Sequence, residues 1–186
     1  MTSTTTPVNN GVDIEFLHGA RGILAEQPAA AQFEWRVTNT WVNGTHNHSI
    51  VEGFFGMGEE MKHHTEFHYD ADHPEQFHSE DKGGTPVELV LVALASCLTG
   101  GIASVAQNRD IQLRAVSATL KGKMDMRGTM GVDADVRNGF GDISVSYSID
   151  ADATADEIAA LVAQSQKRSA VFDIITNPTN VTVEVG

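Results

Sequence analysis

Cys97 is the side chain of this 186-residue sequence with the greatest potential for covalent chemistry. It is the single cysteine, and it lies in an almost wholly apolar run, LVLVALASCL. A thiol is nucleophilic only as the thiolate, and apolar surroundings oppose its ionisation. A lone cysteine in such a run is also common as a small buried hydrophobic residue. A reactive Cys97 therefore needs a partner from another part of the fold.

Glu88 is the nearest acidic residue before Cys97 and could organise a cation or a substrate near it. Nine positions separate the two residues, which in a helix is about 2.5 turns and roughly 13 Å of rise. Direct contact through one helix is therefore excluded. The competing role for Glu88 is structural, as the last residue of a capping box with Thr85 as N-cap and Pro86 at the first helical position.

Histidines form a second group of candidate residues. Seven of the eight fall between positions 46 and 78, namely His46, His48, His63, His64, His68, His73 and His78. Possible oxygen ligands in the same region are Asp70, Asp72, Glu75 and Glu80. His46 and His48 have the spacing of two residues on one strand face, which can chelate zinc or another transition metal. The pattern matches no specific metal motif, so a solvated polar loop is the competing interpretation, and His78 is alternatively a base that activates Cys97.

The apolar run predicts the central helix, from Pro86 to about Gln107. A helix without a polar face must be covered by other elements on several sides. Gly100 and Gly101 lower helix propensity at that point and permit another backbone to approach closely.

Strands are predicted on both sides of this helix. The alternation from Phe33 to Trp41, followed by Asn43-Gly44, predicts a hairpin that returns over 45–51, and a two-residue turn would pair Trp41 with His46. Later elements are strands at 111–123 and 142–149, a helix from the capping box Thr154–Glu157, a short segment at 169–176 and a closing strand through Val181, Val183 and Val185. The segregation of strands and helices indicates the α+β class.

The remaining segments are less regular. Residues 1 to about 10 are interpreted as a loose tail, 12–26 as a short helix, and 53–84 as loops around a short strand near 65–69. Residues 124–140 are glycine-rich and are interpreted as a functional or dimer-contacting loop. The predicted organisation is thus an N-terminal tail and short helix over 1–32, followed by one domain over 33–186.

The formal net charge of −13 makes nucleic acids and anionic membranes poor partners. One cysteine excludes an internal disulfide framework and fits a reducing compartment. The N-terminus has no basic region followed by an apolar core, so no secretory signal is predicted. The longest apolar run, Leu89–Ala95, is too short to span a bilayer. The sequence therefore predicts a soluble cytoplasmic protein.

Three segments resemble the OsmC/Ohr family, the osmotically inducible and organic hydroperoxide resistance proteins. They are TPVELVLVALASCLTGGIASVAQNRDI, VRNGFGDISVSYSIDADATADEIAALV and SAVFDIITNPTNVTVEV. The resemblance covers about residues 33–186. It implies an intertwined α+β homodimer in which two sheets wrap around central helices and each active site uses residues of both subunits.

The resemblance also implies roles for individual residues. Cys97 matches the peroxidatic cysteine and Glu88 the glutamate that helps to prepare the thiolate. The position of the resolving cysteine falls at Ser169, which cannot form a disulfide, and that of the family's arginine falls near Gln76. An external thiol would then have to reduce oxidised Cys97. A replacement cation would have to come from Arg137, Arg36 or a histidine.

These observations predict a long, single-cysteine branch of the family, a thiol-dependent protein that reduces organic hydroperoxides or handles a related electrophile. The expected catalytic residues are Cys97 and Glu88, the expected partners are a second copy, a hydroperoxide and an external thiol, and no cofactor or metal is expected. Two alternatives remain. One is a non-catalytic domain that binds an apolar small molecule at the dimer interface, with Cys97 in its wall. The other is a histidine-rich metal-binding variant.

Overall fold

The computed structural model describes residues 7–186, which form helices and two antiparallel sheets. In chain order the elements are α1 (Ile14–Glu26), β1 (Glu34–Trp35), β2 (Thr38–Asn43), β3 (His46–Gly56), β4 (Glu59–Ala71), α2 (Pro86–Asn108), β5 (Leu113–Lys123), α3 (Met126–Thr129), β6 (Asp142–Ala151), α4 (Ala155–Arg168) and α5 (Ala170–Thr176). The predicted α+β class is confirmed, and so is the short helix near the N-terminus.

The chain divides into two compact units. One comprises Asp13–Val90, and the other comprises Leu91–Gly186 with the described residues up to Val12. The domain boundary between residues 32 and 33 stays a prediction.

The first sheet lies in the unit Asp13–Val90. Strand β4 pairs with β3 along one edge, while β1 and β2 pair end to end along the other. The interpretation of 53–84 as loops around a short strand is wrong, because β3 continues to Gly56 and β4 begins at Glu59. Met57 and Gly58, both with positive φ, make the tight turn between them. Polar and apolar residues do not alternate regularly along β4, so its sequence does not indicate a strand. The segment is a strand because its backbone pairs with β3.

The hairpin between β2 and β3 forms with a register different from the predicted one. Trp41 pairs with Asn47 instead of His46, and Asn43 pairs with His46. The turn consists of Gly44, at φ +56°, and Thr45. An irregularity between Trp41 and Asn43 adds one residue to β2, and such a bulge shifts all pairs beyond it.

Asp72 fixes the segment that leads from β4 to α2. Its carboxylate is almost fully buried and accepts hydrogen bonds from the Thr45 hydroxyl at 2.6 Å and from the backbone N–H groups of His73 and Lys82 at 2.8 and 3.1 Å. These bonds, led by the Thr45 hydroxyl, lower the pKa of Asp72 to about 2. The segment 73–82, which contains Gln76, is thereby tied to the sheet.

The second unit packs helix α4 and the β5–β6 hairpin around the C-terminal half of α2. Its core cluster is Ala106, Ile111, Ala151 and Leu161. The predicted strands at 111–123 and 142–149 form this hairpin, which carries a register shift between Leu113 and Ala115. The predicted capping box at the start of α4 is also confirmed.

Both ends of the described chain differ from prediction. Residues 1–6 lie outside the described residues, but Asn10 is not loose, because its side chain bonds the backbone of Ile111 and of Leu113 at 2.9 Å each. The predicted closing strand is wrong. The valines 181, 183 and 185 are between 81 and 99% exposed and belong to no strand. A strand needs a neighbouring edge for its N–H and C=O groups, and within residues 7–186 none pairs with this segment.

Helix α2 matches its predicted bounds, and it is long and apolar enough to cross a bilayer by length and composition. Leu89–Ala95 was predicted from the sequence to be too short to span a bilayer, but by length and composition this prediction does not apply to the whole helix. Core helices of soluble proteins pass the same test. Only 22% of its most apolar stretch is buried within this chain.

Helix α4 approaches α2 closely where α2 carries Gly101. A methyl group at this position would overlap the Ser165 hydroxyl and come 3.2 Å from the Ser165 Cβ. The hydroxyl of Ser165, itself buried, donates to the Leu98 carbonyl at 2.6 Å. The predicted close approach at the glycine pair is confirmed at Gly101, whereas a Cβ at Gly100 would meet nothing within 4 Å.

We expect Gly101→Ala and Gly100→Ala to change stability in opposite directions. Gly101→Ala overpacks the helix contact and should lower the free energy of unfolding by about 1–3 kcal/mol. Gly100→Ala, the matched control one residue away, should raise it by about 0.5–1 kcal/mol through helix propensity. Urea denaturation of both variants measures this, and a Gly101→Ala protein as stable as Gly100→Ala would contradict the close contact.

Candidate functional site

Cys97 lies in the middle of α2, partly buried, with the start of α5 against its sulfur. The Ser169 hydroxyl donates a hydrogen bond to the Cys97 Sγ at 3.1 Å. The backbone N–H groups of Ala170 and Val171 also bond the sulfur. The position that the resemblance assigns to a resolving group is therefore in direct contact with Cys97.

Two serines of one helix face set this contact. Ser165 and Ser169 are four residues apart, so both point toward α2 from the C-terminal end of α4. Ser165 fits against Gly101, and one turn away on each helix Ser169 meets Cys97. Ser169 also begins α5, because its oxygen accepts the Phe172 N–H at 3.1 Å. The close contact between α2 and α4 thus places the start of α5 against the Cys97 thiol.

These contacts favour the thiolate. Partial burial pushes the pKa of Cys97 upward, but the hydrogen bonds from Ser169, Val171 and Ala170 together outweigh it. The pKa of the thiol therefore lies below its ordinary value. Hydrogen bonds directed at the charged form are one of the three general causes of such a shift.

The amide groups of Ala170 and Val171 were not predicted from the sequence, which indicated a cation as the partner of Cys97. Within the described residues, the hydrogen-bond partners of the sulfur are a hydroxyl and backbone amides, none of which carries a positive charge. The signal that was available is Ser169 itself, a preferred N-cap residue directly before the short apolar segment AVFDIIT.

Glu88 takes the capping position at the start of α2. Its carboxylate is exposed and accepts the backbone N–H of Thr85 at 2.9 Å. This bond is one half of the predicted capping box. The structural role of Glu88 is therefore confirmed, and its role as organising acid stays a prediction.

The predicted replacement cations are placed as follows. Arg36 is engaged in ion pairs with Glu34, at 3.4 Å, and with Glu60. Arg137 is exposed in the loop between α3 and β6. His78 ends the 3-10 turn Glu75–Phe77 in the left-handed conformation, and its role as a base stays a prediction.

The histidines of β3 and β4 form a hydrogen-bonded group on one sheet face. His46 Nε2 and His48 Nδ1 lie 2.8 and 3.1 Å from the same oxygen of Asp70, and His48 Nε2 lies 3.0 Å from His68 Nδ1. The bonds from His46 and His48 lower the pKa of Asp70. The predicted shared face of His46 and His48 is confirmed. In the described part of the chain, however, no three His, Cys, Asp or Glu side chains are grouped so that they could hold a metal ion, and the metal-binding alternative gains no support.

Solved structures with the same fold include an OsmC-like protein from Mycoplasma pneumoniae, at 16% identity and a TM-score of 0.59, covering 76% of this chain and 86% of that chain. An organic hydroperoxide resistance protein OsmC from Legionella pneumophila matches at 19% identity and a TM-score of 0.51, covering 76% and 90%. An OsmC-like protein of unknown function from Vibrio cholerae matches at 10% identity and a TM-score of 0.55, covering 75% and 92%. At these identities the likeness shows the fold.

Among curated protein sequences, none matches this chain significantly. The family model for OsmC-like proteins matches residues 79–184, a segment that includes α2 with Cys97 and the junction of α4 and α5 with Ser169. Because this match spans more than half of the chain, the protein belongs to the OsmC-like protein family.

Proposed function

We propose that this protein acts in peroxide stress as a thiol-dependent reductase of organic hydroperoxides, with Cys97 as the nucleophile. The observation that carries the proposal is the convergence of the Ser169 hydroxyl and two backbone amides on the Cys97 sulfur. A thiol with a lowered pKa fits chemistry better than a passive place in the wall of a ligand site. The Legionella structure of the same fold is named an organic hydroperoxide resistance protein, which fits the same reaction.

The reaction has three balanced steps. The Cys97 thiolate attacks one peroxide oxygen, the S–O bond forms, the O–O bond breaks, and the alkoxide takes a proton to leave as an alcohol. An external thiol then attacks the resulting sulfenic acid, forming a mixed disulfide and releasing water. A second external thiol regenerates Cys97 and leaves as the oxidised disulfide. In this scheme Glu88 organises the substrate or a cation, and the reaction takes place in the reducing cytoplasm.

We expect one equivalent of cumene hydroperoxide to add one oxygen to the wild-type protein at Cys97. An external monothiol should then return the protein to its original mass, because the sulfenic acid is reversible. Intact-protein mass spectrometry measures both steps, with Cys97→Ser as the control that gains no oxygen. An unmodified Cys97 in excess hydroperoxide, while a small control thiol oxidises, would rule the reaction out.

The residue at position 169 decides which thiol completes the cycle. Its side-chain oxygen lies 3.1 Å from the Cys97 sulfur, about 1 Å more than a disulfide bond length. A hydroxyl cannot replace the missing thiol in a disulfide, so the second sulfur has to come from outside the chain.

Ser169→Cys should therefore restore an internal resolving step. After one equivalent of hydroperoxide, we expect this variant to lose both free thiols and to form a disulfide between Cys97 and the introduced cysteine, seen by peptide mapping. Ser104→Cys is the matched control, since position 104 lies seven residues along α2, roughly 10 Å of rise away. Two free thiols, or the same persistent sulfenic acid as in the wild type, would contradict the assignment of position 169.

The proposed active form is a homodimer. Val90 and Val92 of α2 are 41 and 58% exposed, and Trp35 and Trp41 of the first sheet are each 69% exposed. Apolar surface of this extent is typical of an interaction site, and a second copy supplies the same apolar helix and sheet.

We expect light scattering coupled to size exclusion to give twice the 20.0 kDa chain mass at micromolar concentration. Val92→Glu should shift the protein toward the monomer, because it places an unpaired charge in the proposed interface. A wild-type monomer under these conditions would contradict the dimer while leaving the chemistry of Cys97 to be judged by the peroxide titration.

A further inference from the structure

We infer that the Ser169 hydroxyl is a functional hydrogen-bond donor to Cys97, which stabilises the thiolate before attack and the sulfenic acid after it. The inference rests on the proposed function, because it assigns Ser169 a part in the same reaction. It differs from the resolving role that the family resemblance assigns to this position. A resolving thiol consumes the sulfenic acid, whereas a hydroxyl holds it for an external thiol.

The hydrogen bonds of Ser169 fix the direction of its single proton. A serine hydroxyl has one proton to donate and two lone pairs to accept. The Phe172 N–H occupies one lone pair at 3.1 Å, and the Cys97 sulfur lies 3.1 Å away as the acceptor of the proton. Ser169 is 5% exposed, so little water competes for this proton. A hydrogen bond to an ionised acceptor is roughly twice as strong as a neutral one.

Capping of α5 does not by itself require this second bond. An N-cap residue only has to accept a backbone N–H, and Asp13, Asp125 and Thr154 do so at the starts of α1, α3 and α4. An aspartate at position 169 would cap α5 as well as serine does, but it has no proton to donate and would repel a thiolate. A serine or threonine is therefore the residue type that meets both requirements.

The oxidised state follows from the same contact. When Cys97 gains its oxygen, the Ser169 proton can bond the sulfur or the new oxygen without a change of backbone position. An alcohol is a far poorer nucleophile toward sulfur than a thiolate, so Ser169 forms no covalent bond to the sulfenic acid. The sulfenic acid persists until an external thiol attacks it, forming a mixed disulfide and releasing water.

Three variants at position 169 separate the donor from the cap. Ser169→Ala removes both, Ser169→Asp keeps the cap but replaces the donor with a negative charge, and Ser169→Thr keeps both. Thr154→Ala is the matched control, because it removes the N-cap of α4 without touching the sulfur. The readout is the pH dependence of the alkylation rate of Cys97 by iodoacetamide, which needs neither a hydroperoxide nor turnover.

We expect Ser169→Ala and Ser169→Asp to slow alkylation about tenfold at pH values below the pKa of the thiol, which corresponds to a rise of about one pKa unit. Ser169→Thr should keep the wild-type profile. Thr154→Ala should lower the thermal midpoint and leave the alkylation profile in place. In dimedone trapping after oxidation, the lifetime of the sulfenic acid should be shorter in Ser169→Ala than in the wild type.

An unchanged alkylation profile in the folded Ser169→Asp protein overturns the inference, even if Ser169→Ala does not fold. A shift of the same size in Thr154→Ala also overturns it, since the effect would then be one of stability. Failure of the proposed function has a different signature. In that case wild-type Cys97 resists cumene hydroperoxide, while the alkylation profiles still report whether Ser169 stabilises the thiolate.

Discussion

Helices α2 and α4 approach each other closely because Gly101 has no side chain at their contact, and the arrangement around Cys97 depends on this approach. The buried Ser165 hydroxyl fills the space above Gly101 and bonds the Leu98 carbonyl at 2.6 Å. One helical turn further, the same face of α4 presents Ser169 to Cys97 at 3.1 Å. A shift of α4 by the size of a methyl group would lengthen both contacts, so a packing constraint of one glycine controls the surroundings of the thiol.

Dipoles of neighbouring neutral groups lower the pKa of the Cys97 thiol. Within the described residues, the sulfur is bonded by a hydroxyl and by two amides at the start of α5. Such groups are part of the backbone and the cap, so they are held in place before any substrate binds. A guanidinium would contribute more charge, but it needs a partner to hold it, as Arg36 is held by Glu34 and Glu60. Preorganised neutral donors suit a site that lies against an apolar helix.

Prediction from sequence succeeded where local chemistry decides the structure. Pro86 and Glu88 mark the start of α2, and the Thr154–Glu157 box marks the start of α4. Prediction from sequence failed where pairing between residues far apart in the chain determines the structure. Strand β4 has no clean alternation of polar and apolar residues, and its 13 residues become a strand because β3 lies beside them. The closing valines alternate perfectly, yet they form no strand in this chain because no edge within residues 7–186 pairs with them.

The sequence by itself determined the family, the central helix, the single thiol and the serine at position 169. These features follow from residue identity and from short-range order along the chain, and both can be read from the sequence without knowing how the chain packs. Only the tertiary structure decided what bonds the sulfur. Ser169, Ala170 and Val171 lie more than 70 positions from Cys97, and whether their donors reach it depends on how tightly α4 packs on α2. The distance from these donors to the Cys97 sulfur depends on the packing of Ser165 against Gly101. It cannot be derived from the spacing of residues along the sequence.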